Sequence, residues 1–190
     1  MATQEVIDER IGLFRRDLKL LTARDIVNKH VLTGSCCMLA DDKYVELRSV
    51  VAEKFGLQTA EVVVVGSSRL GFSISPDKRF RHFGEESDID VAIISDRLFS
   101  EIWQEVHRFN ENGGYWEIGP FRKYLFQGWI RPDKLPPVHT FALAKEWWEF
   151  FKEVTQTNRF GPYKVKAGLY KSWYFLEAYQ QRSVTACIEA

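Results

Sequence analysis

Long apolar runs are missing. No stretch approaches about eighteen uninterrupted apolar residues, so no segment reads as a membrane span. An excess of either charge is missing too: 26 Lys and Arg balance 26 Asp and Glu, for a formal net charge of zero. A polyanionic partner would therefore have to be met by a local basic patch rather than by global attraction. Cysteine is scarce. There are three, two of them adjacent at Cys36 and Cys37 and the third at Cys187. Neither the odd count nor the spacing fits a disulfide framework or a Cys-x-x-Cys zinc knuckle. Buried free thiols in a reducing compartment are the expectation. The opening stretch MATQEVIDERIGLFRRDLK is charged throughout and has no apolar signal core, so a cytoplasmic location is expected. Internal repeats and low-complexity segments are also lacking. His30, His107 and His139 are scattered without ligand spacing, which points to core or surface roles.

What is present is a globular composition. Hydrophobic residues make up 45% of the 190 and charged residues 27%. That suits one domain, or a small domain with an appended helical half. Six Trp, seven Tyr and fourteen Phe promise an aromatic core.

The periodicity predicts helices over 4–21, over a short segment 23–32, over 41–57 and over 96–109. Four consecutive valines, 62–65, closed by Gly66, read as a strand buried on both faces. DIDVAIIS, 88–95, reads as a second strand. A third is expected over 123–131. From 138 onward two helical stripes predict an antiparallel αα pair. One carries Phe141, Ala144, Trp148 and Phe151, the other Leu169, Trp173 and Leu176. The expected fold class is α+β: a small mixed sheet with flanking helices over 1–137, and a C-terminal helical pair over 138–190 packed on it.

Two motifs carry chemistry. A buried strand that runs into Gly66-Ser67-Ser68 places a small turn at its carboxyl end. Glycine permits a close backbone approach, and free N–H groups with a serine hydroxyl can hold phosphate oxygens. Asp88 and Asp90 are two apart on a strand, so both carboxylates point to one face while Ile89 and Val91 enter the core. Two carboxylates so close repel unless a cation lies between them, and Mg²⁺ accepts carboxylates together with phosphate oxygens and water.

Together, VVVVGS and SDIDVAI resemble the nucleotidyltransferase superfamily, the DNA-polymerase-beta-like fold. Its signature is a hydrophobic strand ending in Gly-Ser, followed by acidic-hydrophobic-acidic-hydrophobic on the next strand. The likeness covers roughly residues 40–131. It implies transfer of a nucleoside monophosphate from an NTP to a hydroxyl-type acceptor, with release of pyrophosphate. In that reading Gly66, Ser67, Ser68 and Arg69 would hold the nucleotide, and Asp88 and Asp90 would bind one or two Mg²⁺ (or Mn²⁺). The acceptor could be a protein, an RNA end or a small molecule. Small stand-alone members include antibiotic-modifying enzymes, toxin components of toxin–antitoxin pairs and nucleotide-signal synthases.

The chain departs from the family pattern at two points. An inserted loop separates Ser67 from Asp88. Its residues 78–83 interleave Lys78, Arg79, Arg81 and His82 with Phe80 and Phe83, fit either for a solvated arm or for gripping a nucleic-acid acceptor with rings free to stack. Second, active members bring a third carboxylate from a later strand, and KYLFQGWI has none. Glu117 precedes it and Asp133 follows it. Glu117 is the expected third acid, because it sits beside Ile118 in a short strand-like stretch. Lys164, Lys166 and Lys171 are expected along the start of the last helix. Such a run is either a solvated face or, in an enzyme of this kind, a set of lysines that face the cleft and meet the triphosphate tail, with Lys171 taken for that role. Without a third acid the alternative is a catalytically lapsed member that binds a nucleotide or a partner.

Overall fold

The computed structural model describes residues 2–189. Among these, eight α-helices surround one four-stranded mixed sheet. β1 (Val62–Val65) pairs antiparallel with β2 (Ile89–Ile94), β2 pairs parallel with β4 (Val165–Tyr170), and β4 pairs antiparallel with β3 (Trp129–Ile130). All four β1 valines are buried, as a strand covered on both faces requires.

The helices before the sheet follow their sequence cues. α1 (Gln4–Asp17) is N-capped by the Thr3 hydroxyl and buries Ile7, Ile11 and Phe14. α2 (Ala23–Ile26) is capped by Thr22 and widens into a π-helical turn over Val27–Leu32. α3 (Asp41–Phe55) carries Asp41 and Asp42 in its first turn, with Ala40 at the cap position, and packs on β1. α4 (Gly66–Leu70) leaves β1 with no intervening loop. α5 (Asp96–Glu111) is capped by Ser95 directly after β2.

Two expectations fail after α5. Residues 118–126 form helix α6 (Ile118–Phe126), and the strand expected over 123–131 shrinks to Trp129–Ile130. Pro120 lies in the first turn of α6, where its missing N–H would be unpaired anyway. The larger correction concerns the end of the chain. α7 (Ala142–Gln156) and α8 (Trp173–Glu189) are helices, but they are not a contiguous pair, since residues 165–170 between them form β4 inside the sheet. Val165–Tyr170 pair along their length with β2, and Leu169 and Tyr170 also with β3, which satisfies their backbone better than a helix containing Gly168 could. The stripe Leu169, Trp173, Leu176 spans a strand-to-helix junction. α7 packs on β4, and α8 packs on α2, its π-helical extension, β2 and β4.

All three cysteines are buried and free. Among the described residues no helix is long and apolar enough to cross a membrane.

Candidate active site

Register places the two motifs side by side. Val65, the last residue of β1, is opposite Asp90. Gly66 follows with φ of +67°, and a Cβ on it would lie 2.9 Å from Asp90 Oδ2. Glycine is therefore demanded twice, by a left-handed backbone and by the carboxylate against it. Gly66, Ser67, Asp88 and Asp90 all line one cleft of about 840 Å³. Ser67 is half-buried, and its hydroxyl has no protein partner among the described residues.

Asp88 precedes β2 by one residue, and Asp90 lies within it on the same face. Water reaches Asp90 from the open cleft. Even so, the protein packed around the cleft floor, and secondarily the charge of Asp88, push its carboxyl up to about 6, against the opposing pull of Lys166.

The neighbouring strand offers no acid. β4 puts Lys166 opposite Asp90, and Lys166 Nζ donates to Asp88 Oδ2 at 2.6 Å. Among the described residues no three His, Cys, Asp or Glu side chains come together. Glu117 is exposed at the N-cap position of α6 and does not line the cleft. Asp133 does line it, but Arg131 holds Asp133 through Nε and Nη2, each at 3.0 Å, and Lys134 adds a third contact at 3.1 Å.

Three further nucleotide-binding expectations are corrected. Ser68 is fully buried and donates to the Val65 carbonyl at 3.1 Å, which braces the turn from behind. Arg69 is 2% exposed and points away from the cleft. Its Nη2 donates to the carbonyls of Thr33 and Gly34 at 2.5 and 2.6 Å, so it pins the loop before α3. Lys171 pairs with Asp96 at 3.0 Å and lies outside the cleft lining.

The inserted loop folds back on itself. Ser73 N–H donates to the Arg81 carbonyl at 2.9 Å, and Phe80 N–H to the Ser73 carbonyl at 2.8 Å. Its rings are already engaged: Phe80 packs against Phe72 and Phe14, and Phe83 against Tyr163. They are not the free stacking platform expected. The cations behave differently. Lys78, Arg81 and His82 join Ser67, Ser73, Ser75, Asp88 and Asp90 around a smaller branch of the cleft, about 400 Å³. His82 also pairs with Asp8 at 2.9 Å.

The opposite wall escaped sequence reasoning. Trp129 of β3 stacks on Tyr170 with a 6° interplanar angle, and Tyr179 of α8 lies 4.7 Å from Trp129. A Cβ on Gly168 would come 2.5 Å from Trp129 Nε1, so glycine makes room for the indole. Arg131 and Arg182 flank this wall. No local signal locates Lys166 and Gly168, because the place of β4 between β2 and β3 is a long-range property.

Compared with known proteins, the chain matches no family model, no curated sequence and no solved structure. The reading of the site rests on its residues and its resemblance to the nucleotidyltransferase signature.

Proposed function

We propose that this protein is a divalent-cation-dependent nucleotidyltransferase, which passes a nucleoside monophosphate from an NTP to a hydroxyl acceptor and releases pyrophosphate. The observation that carries the reading is the closeness of the Gly66 turn to Asp90: Val65 is Asp90's register partner, and a Cβ on Gly66 would lie 2.9 Å from the Asp90 carboxylate. Phosphate oxygens bound at Gly66-Ser67 lie next to both carboxylates. The donor set fits Mg²⁺ or Mn²⁺: two carboxylates on one face, open to water, beside a free hydroxyl. Such an ion, when bound, supplies charge neutralisation at the phosphoryl group.

The chain's own groups supply the rest. Ser67 Oγ is free to donate to a phosphate oxygen. Lys78 and Arg81 place two cations within reach of a triphosphate, in a branch that Asp77 and Glu86 also line. Asp88 and Asp90 orient the ion and, with Lys166, set the local field. The aromatic wall and the two arginines give the larger branch of the cleft room for a base or an acceptor. Buried free thiols fit a reducing, cytoplasmic setting.

A second reading draws on one observation, Lys166 where a third acid is expected. In it the protein binds nucleotide without transferring it. One experiment separates the two. The protein is incubated with each α-labelled NTP and Mg²⁺, alone and with cell extract. Mg²⁺-dependent labelling that disappears in the Asp88→Ala, Asp90→Ala double variant supports transfer. Nucleotide binding with no labelling supports the second reading. Labelling that survives the double change overturns the metal assignment.

A further inference from the structure

We infer that Lys166 occupies the place of a second cation, so that the site takes one divalent ion with its nucleotide rather than two. The inference rests on the nucleotidyltransferase reading and concerns how that site is charged.

Three observations carry it. Lys166 is the direct register partner of Asp90 on the adjacent parallel strand, so its side chain rises from the same face of the sheet. Its ammonium is 2.6 Å from Asp88 Oδ2, within the distance of a strong charge-assisted hydrogen bond. Both residues line the cleft that holds Gly66 and Ser67. A cation is thus already covalently tethered against the acid pair.

The charge balance is conserved. Three carboxylates with two divalent ions carry one net positive charge. Two carboxylates, one ammonium and one divalent ion carry the same. Exchanging an acid for a lysine while removing one metal leaves the net charge that faces a bound triphosphate unchanged. Two divalent ions beside Lys166 would instead put an ammonium against a metal with no third carboxylate between them, which is unfavourable at such separations. Of the other acids around the cleft, Asp133 is already held by Arg131 and Lys134, and Asp77 and Glu86 on the smaller branch do not gather with Asp88 and Asp90 into a three-acid group among the described residues.

The Lys166 side chain is half exposed, so replacing it opens no core cavity. The test counts ions. The protein is dialysed to equilibrium against Mn²⁺ and a non-hydrolysable ATP analogue, and free Mn²⁺ is read by electron paramagnetic resonance. Wild type should bind one Mn²⁺ per chain, and Lys166→Asp should bind two. Lys166→Met should keep one ion and hold it roughly 3- to 10-fold tighter, because the competing ammonium is gone. Two ions in the wild type, or one in Lys166→Asp, overturns the inference and leaves the nucleotidyltransferase reading standing. Weaker Mn²⁺ binding by Lys166→Met also overturns it. No Mn²⁺ and no nucleotide bound by any form overturns the functional reading itself.

Discussion

Asp90 sits where function and stability pull in opposite directions. Its carboxyl is raised to about 6 by crowding at the cleft floor, with Asp88 adding to the shift. A group whose folded pKa exceeds its unfolded value holds its proton more tightly when folded. Stability therefore rises as pH falls from about 6 toward 4. Asp90→Asn removes a charge that the crowded cleft floor and Asp88 both disfavour. In metal-free buffer at pH 7 the variant should gain about 1 kcal/mol, less than full linkage would give because water reaches the group. The gain should vanish by pH 4. Urea titrations at the two pH values check this, and the same variant should lose Mg²⁺-dependent labelling. Gly66 is the second sensitive residue. Gly66→Ala forces a left-handed alanine against Asp90 and should cost about 1–2 kcal/mol, with nucleotide binding weakened alongside. Chemical denaturation and equilibrium nucleotide titration read the two effects.

Among the elements, the π-helical turn after α2 is tied to the end of α1 by one carboxylate. Asp17 is 3% exposed and accepts from Lys29 Nζ at 2.6 Å, and His30 Nε2 lies 2.8 Å from the same oxygen. The Lys29 hydrogen bond is the main cause that holds the Asp17 carboxyl down at about 2. A depressed carboxylate contributes stability that is fully present above its unfolded value near 4 and is lost as pH falls toward 2. Asp17→Asn should cost about 1–2 kcal/mol at pH 7 and almost nothing at pH 2. Denaturation across that range tests the sign. Which elements were legible follows from how local their signals are. β1 is written in unbroken valine and β2 in an Asp-Ile-Asp-Val start, α1 and α5 in clear caps and stripes, and α3 in its closing Gly56. β4 was not legible as a strand. Leu169, Trp173 and Leu176 imitate helical spacing, and the strand's position between β2 and β3 is a long-range fact that no local window contains. Lys166 was misplaced for the same reason, since a residue read onto a helix face cannot be seen to oppose Asp90. Ser68 and Arg69 were misassigned because the tight turn sends only Gly66 and Ser67 to the cleft, and α4 carries the next two into the core.

The whole molecule brings the acid pair, the glycine turn and the lysine strand to one cleft between the insertion on one side and β3 with α8 on the other. Ligand bound there stabilises every element that lines it. Mg²⁺ and an NTP analogue together should raise the melting temperature. At a hundredfold excess over Kd the stabilisation is about 2.7 kcal/mol, a shift of roughly 5–11 °C for a chain of this size. The Asp88→Ala, Asp90→Ala variant should show no shift, which scanning fluorimetry reads directly. Sheet order carries a last consequence, for synthesis. The ribosome delivers β1 and β2 well before β4. Until residues 165–170 emerge, β2 presents a bare apolar margin open to wrong partners, and its two aspartates have no ammonium beside them. The open margin and the unaccompanied acid pair are thus both resolved by the insertion of one six-residue strand.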